Sequence, residues 1–230
     1  MRIDEPIVYG TFIRRDNRFA ATVEVAGTTA LAHVASSGRM AELLVPGAVV
    51  ALLPRDRPQS RTRYRLLLVR HRDRWVSVDA QMPNRLAAEA LAARTLPPFA
   101  GYDEITPEAR RGPCRVDFYL QGAERPCWLE VKSVTLVTAD GHALFPDAPT
   151  LRGREHLMLL REATQEGARA AVLFIIQRDD ARDFRPHDAH DPAFGAAMRR
   201  AVAAGVEVYA YRCTVSTHEI TLTAAVPVIL

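Results

Sequence analysis

The stretch RVDFYLQGAERPCWLEVKS, residues 115–133, constrains this chain more than any other. Residues 115–120 and 127–133 each alternate polar and apolar, and a period of two marks a half-buried strand. Gly122 and Pro126 lie between them and suit a turn, so the stretch reads as a β-hairpin. Pairing Leu120 with Cys127 sets Asp117 opposite Glu130, and Lys132, two residues on, points to the same face. Val116, Phe118, Leu120, Leu129 and Val131 then make the core face.

Two carboxylates opposite each other across an antiparallel pair are destabilising. A divalent cation reverses that sign, because a hard ion takes carboxylate and carbonyl oxygens. The alternative is a solvated strand face, since three common residues at loose spacing recur by chance. Lys132 tips the balance, because it is the only lysine among 30 basic residues. Codon bias can explain an excess of arginine but not the position of the one exception. An ammonium is a compact point charge that can release its proton, and a guanidinium is neither compact nor able to do so. Asp117, Glu130 and Lys132 are therefore the candidate catalytic residues.

Asp117 followed by Glu130-Val131-Lys132 resembles the PD-(D/E)xK nuclease motif. The wider run is more specific: RVDFYL, then WLEVKSVTL, then FPDAPTLRGREHL from Phe145, with GVEVYAY from Gly205, resembles the sugar fermentation stimulation protein family. The resemblance covers nearly the whole chain and is strongest from about Gly101 onward. It implies an α/β (α+β) protein: a small N-terminal OB-like β-barrel that binds nucleic acid, residues 1–80, and a restriction-endonuclease-like αβββαβ domain, residues 81–230. The nuclease motif, more than the family, implies Mg²⁺ or Mn²⁺ as cofactor, with Asp117, Glu130 and the Val131 carbonyl as ligands and Lys132 at the attacking water. In that fold the helix before the hairpin supplies a further carboxylate, here Glu89. The family is described mainly as DNA-binding or regulatory, which keeps a non-catalytic regulator of sugar metabolism genes open as an alternative. Where the family has a Cys-Pro-Asn-Thr-Gly pattern, this chain reads Val34-Ala35-Ser36-Ser37-Gly38-Arg39-Met40, without the Cys or the Asn.

Taken in order, short β segments are expected over 7–14, 18–25, 28–34, 47–53, 63–70 and 74–78, a pattern that suits a small barrel. Residues 55–74 are densely basic. Arg55, Arg57, Arg61, Arg63 and Arg65 are the candidate nucleic-acid contacts, since clustered arginines track a phosphate backbone. A solvated loop is the competing reading. A helix is expected from about Asn84 to Arg94, and a third short strand from Ala143 to Phe145 after the Asp140-Gly141 turn. Thr150 caps a helix closed by Gly167; Arg152 and His156 near its start could approach a phosphate. Residues 170–177 read as a buried central strand, 178–191 as a charged loop, and 192–205 as a helix capped by Asp191.

No apolar run is long enough to span a bilayer, and MRIDEPIVYG has no apolar signal-peptide region. Three cysteines with no CxxC pair argue against a disulfide scaffold or zinc site and for the cytoplasm. The expected partner is nucleic acid, most plainly DNA, with no membrane. A module that binds a protein partner and leaves the acidic pair unused is the third reading.

Overall fold

The computed structural model describes residues 1–36, 38–55, 61–112 and 114–230. Strands β1 (Val8–Asn17), β2 (Ala20–Val25), β3 (Thr28–Val34), β4 (Val49–Pro54), β5 (Tyr64–His71) and β6 (Arg74–Ser77) form one sheet in the order β3-β2-β1-β4-β5-β6. A parallel pairing of β3 with β5 closes it into a barrel of five strands, with β6 as an extension. Closure removes the free edges that a small sheet would otherwise expose. Phe12, Val23, Val34, Met40, Leu52 and Leu66 fill the interior.

The rest of the chain runs α1 (Met82–Ala92), β7 (Glu104–Arg111), β8 (Cys114–Gln121), β9 (Cys127–Val134), β10 (His142–Phe145), α2 (Leu151–Gln165), β11 (Arg169–Ile176), β12 (Asp183–Pro186), α3 (Pro192–Ala203), β13 (Glu207–Val215) and β14 (Ile220–Ala225). Its main sheet has the order β14-β13-β11-β9-β8-β7. β11 is parallel to both its neighbours, β9 and β13. Its residues alternate between two cores. Ala171, Leu173 and Ile175 join α1 on one face, and Ala170, Val172, Phe174 and Ile176 join α2 and α3 on the other. Burial on both faces is why this strand reads as a continuous apolar run.

The helix ends follow their local chemistry. The Thr150 hydroxyl accepts the Gly153 N–H at 3.0 Å, and Gly167, at φ +89°, follows the end of α2. Asp191 accepts the Phe194 N–H at 3.0 Å to start α3. Gly153 has a packing reason as well: a Cβ there would meet Thr150 and, at 3.2 Å, the Phe194 ring of α3.

The three antiparallel strands of the αβββαβ core are not the expected set. Residues 104–111, EITPEARR, form β7 along the whole of β8, and β7 is the first of the three. The strand expected from Ala143 to Phe145 does form, as β10, but it leaves the main sheet and pairs in parallel with β12. That pairing also gives a strand to the middle of the stretch expected to be an irregular loop. Among the described residues the expected hairpin at Asp140-Gly141 is reduced to an isolated bridge, Val137 to Ala143, with the Thr138 and Leu144 N–H groups donating across it to the His142 and Leu136 carbonyls at 3.0 Å each.

The barrel and the second sheet share a core. Ala51, Leu53, Leu67 and Leu68 of the barrel pack in one cluster with Met82, Leu86, Leu91, Phe118 and Leu129. Each large side chain buried there contributes about 1.5–3 kcal/mol. Polar bonds join the two parts as well. Ser77 N–H donates to the Gln177 carbonyl at 3.1 Å, and Gln177 Nε2 donates to Ser133 Oγ at 2.8 Å and to the Asp79 carbonyl at 3.3 Å.

Candidate metal centre

The β8–β9 ladder runs from Leu120 opposite Cys127 to Phe118 opposite Leu129, and there it stops. At the next position Asp117 turns its carboxylate into the gap between the strands. Its Oδ2 accepts the Val131 N–H at 2.7 Å, and its Oδ1 accepts Asn84 Nδ2 of α1 at 2.7 Å. The N–H and C=O of a strand residue face the same neighbour, so the Val131 carbonyl opens on this gap too. The irregularity extends into β7, where Glu108, across from Asp117, has φ +51° and the ladder skips that pair. The bend also corrects the expected core face. Val116 is buried in the α2–α3 layer, whereas Phe118 and Leu120 are buried in the α1 layer.

Glu130 is 3 % exposed. Its Oε1 accepts Lys132 Nζ at 2.5 Å and is also in contact with His156 Nδ1 of α2. A ring nitrogen facing a carboxylate carries the proton, which leaves Nε2 to accept from Arg152 Nε at 3.3 Å. Lys132 Nζ lies 3.4 Å from His156 Nδ1. Glu130 Oε2 is buried with no hydrogen-bond partner among the described residues.

The two carboxylates are biased in opposite directions. Burial pushes the Asp117 carboxyl above its usual range and the charge of Glu130 adds to it, outweighing the Val131 N–H, Lys132 and Asn84. Burial acts on Glu130 the same way, but there the contacts with His156 and Lys132 outweigh it and hold the group below its usual range. One acid of the pair is held ionised while its neighbour resists ionisation. That is the electrostatic state a cation would relieve.

The chemistry of the donors suits a hard divalent cation: an orphaned oxygen on Glu130, the neighbouring Asp117 carboxylate and the Val131 carbonyl are all oxygens of the kind such an ion takes. Among the described residues no group of three or more His, Cys, Asp or Glu side chains could hold a metal. A cation here would complete its shell with water, as Mg²⁺ does when held by one or two carboxylates.

Glu89 does not join the site. Its carboxylate pairs with the Met1 amino group at 3.1 Å and is 57 % exposed. Five residues of helix turn it roughly 140° away from Asn84, and Asn84 is the α1 residue that reaches Asp117. Sequence reasoning passed over Asn84 because it sought an acid.

Two family profiles match the chain: the sugar fermentation stimulation protein RE domain over residues 81–219, and the SfsA N-terminal OB domain over residues 13–78. The chain belongs to the sugar fermentation stimulation protein family. A homologue from Desulforamulus reducens is 46 % identical, over 96 % of this chain and 92 % of its own length. One from Thermoanaerobacter sp. (strain X514) is 45 % identical over the full length of both. Among solved structures, Pyrococcus furiosus SfsA in complex with Ca²⁺ superposes with a TM-score of 0.92 at 26 % identity, covering 100 % of this chain and 98 % of that one.

In this SfsA-family chain the loop that lacks the Cys and Asn is tied to both parts of the molecule. Arg15 donates to the carbonyls of Ser36 at 2.9 Å and Arg39 at 2.9 Å, and the Met40 N–H points at Asp147 at 3.4 Å. Ser37 lies outside the described residues. The basic stretch divides into two kinds of arginine. Arg61 and Arg63 are exposed and make no ion pair among the described residues. Arg55 donates to Thr62 at 2.9 Å. Arg57 lies outside the described residues. Arg65 is a correction: instead of facing solvent it forms an ion pair with the fully buried Asp79 and donates to Gln81 at 2.9 Å. Its charge holds the start of α1 to the barrel.

Proposed function

We propose that the protein binds DNA and hydrolyses its phosphodiester bonds with the help of a divalent metal. Residues 1–80 hold the nucleic acid, and residues 81–230 carry the site at Asp117, Glu130 and Lys132. Glu130 carries this reading. It is a carboxylate at 3 % exposure whose one oxygen takes two nitrogen donors while the other has no partner among the described residues. A carboxylate kept only for structure is normally satisfied on both oxygens, because an unmet buried acceptor costs about 1–3 kcal/mol.

Asp117, Glu130 and the Val131 carbonyl would hold a Mg²⁺ or Mn²⁺ ion, which would supply Lewis-acid stabilisation of charge on a phosphate and make water more acidic. The Ca²⁺ in the Pyrococcus furiosus relative supports an oxygen-ligated divalent ion in this fold. Asn84 and the Val131 N–H fix the Asp117 carboxylate from two directions, so it is oriented before any ligand arrives. Lys132 holds a compact positive charge beside Glu130, where it orients an attacking water and stabilises negative charge in the transition state. Arg152, exposed on the first turn of α2, stands at the positive end of the helix and receives a phosphate oxygen.

The second reading is a DNA-binding regulator without catalysis, and the small side-chain donor set favours it. The deciding experiment is the initial rate of cleavage of linear and nicked duplex with Mg²⁺ or Mn²⁺, paired with a binding assay, for the wild type and Lys132→Arg. The expected result is cleavage that requires the metal and falls by a factor of about 10² or more in the variant, with binding unchanged. A fully active variant removes Lys132 from the chemistry. Binding without cleavage by the wild type favours the regulator.

A further inference from the structure

α2 turns an unused face outward. Leu151 and Met158 stand 71 % and 50 % exposed, seven residues apart on one side of the helix. Arg154, Glu155, Arg161 and Glu162 lie on the same stripe, which is about 120° wide at 100° per residue. Beside them Ala193, Ala196 and Ala197 of α3 are small and leave a groove of about 510 Å³ between the two helices.

The charges on this stripe are idle. Some surface arginines do find acids, as in Arg94 with Asp103, Arg111 with Glu166, and Arg199 with Asp188. Arg154, Glu155, Arg161 and Glu162 make no ion pair among the described residues, and Arg161 Nε is buried with no hydrogen-bond partner.

Their order is self-complementary. Let a second α2 lie antiparallel on the first about a two-fold axis through Met158. Arg154 then meets Glu162 of the second copy, Glu155 meets its Arg161, and the two Met158 side chains meet at the centre. A two-fold operation repeats each contact, so one stripe makes four opposite-charge pairs and no like pair. We propose that this face is the interface of a two-fold dimer of the chain, with α2 of each copy packed antiparallel on α2 of the other and the α2–α3 groove along its edge.

The test is sedimentation velocity over a concentration series, with four samples. The wild type should show a reversible dimer by about 100 µM. Arg161→Glu alone and Glu155→Arg alone each set like charges together at two symmetric places and should weaken dimerisation about tenfold or more. The double variant Glu155→Arg/Arg161→Glu exchanges the signs and should recover it. An equal mixture of the two single variants should also recover it, as a heterodimer, because each supplies the charges the other lacks. Those recoveries rule out misfolding as the cause of the loss. A monomeric wild type at that concentration overturns the proposal. So do single variants that dimerise like the wild type, or a double variant and a mixture that both stay monomeric.

Discussion

Asp117→Asn separates a metal site from a structural carboxylate. In the wild type Asp117 accepts the Val131 N–H and Asn84 Nδ2, each at 2.7 Å. The Asn side chain keeps one acceptor for Val131 and presents an NH₂ group to Asn84, which can turn its own amide over and accept. Both bonds survive, and what leaves is a buried negative charge next to Glu130. Burial first, and the charge of Glu130 second, raise the Asp117 carboxyl above its unfolded value. A raised acid contributes stability below the unfolded pKa of about 3.9 and loses it as pH rises through the folded value. Without metal the variant should therefore match or slightly exceed the wild type at pH 7, and the difference should close below about pH 4. With metal the order reverses. A ligand at 100 times its Kd stabilises the folded state by about 2.7 kcal/mol, and in a chain of this size each kcal/mol moves Tm by about 2–4 °C. Saturating Mn²⁺ should raise the wild-type Tm by about 5–10 °C and the variant by less than about 2 °C. Melting curves in chelator and in rising Mn²⁺ or Mg²⁺ at pH 7, with the chelator arm repeated near pH 4, read both effects. A wild-type Tm indifferent to millimolar Mn²⁺ refutes the reasoning, and so does a variant that rises as far as the wild type.

Replacing the exposed Arg61 and Arg63 together by Gln should weaken DNA binding alike on all sequences and flatten the salt dependence by about 2 in log–log slope; filter binding across a salt series checks it. Arg65→Gln should act on stability instead. It strands the buried Asp79 without its cation at a cost of about 3–5 kcal/mol, visible as a lower urea midpoint. His156→Ala removes one of the two donors on Glu130 and leaves a gap in the α2 face, for a loss of about 2–4 kcal/mol at pH 7. Glu130 is held below its usual range, so its contribution is present above the unfolded value and fades as pH falls through the folded one. The gap between variant and wild type should therefore narrow below about pH 4 in urea titrations.

What could be read from the sequence was local. The hairpin register from Leu120 and Cys127 is set by alternation and one turn, and the caps at Thr150 and Asp191 by single side chains within three residues of the groups they satisfy. What could not be read depends on distant partners. β7 carries Pro107 and four charges and has one neighbour, β8, so it shows neither alternation nor an apolar run. β10 and β12 pair across 41 residues, as His142 with Asp183, and neither strand is long enough to announce itself. His156 had a usable signal. It sits in register with Gly153, Leu157, Leu160 and Ala163 on the buried face of α2, and a histidine on that face needs a buried partner. Glu130 on the facing strand was the available acid.

The placement of the lone lysine follows from the same contacts. Lys132 and His156 converge on Glu130 Oε1, which leaves the net charge around Glu130 near neutral while Oε2 stays unmet. A cation at Oε2, as proposed above, would take the second oxygen without displacing either donor, and Asp117, whose carboxyl burial and Glu130 push up, would offset its repulsion from Lys132. An arginine at 132 would span both Glu130 oxygens with its fork and occupy the open one. In a chain that uses arginine for 29 of its 30 basic residues, the proposed metal site would account for a group here that engages one oxygen and leaves the other free. The barrel is fixed against the same strand through Gln177, which bonds Ser133, the neighbour of Lys132, and the Asp79 carbonyl. A phosphate backbone bound on the barrel, as proposed above, would thereby be held in a set position relative to that open oxygen.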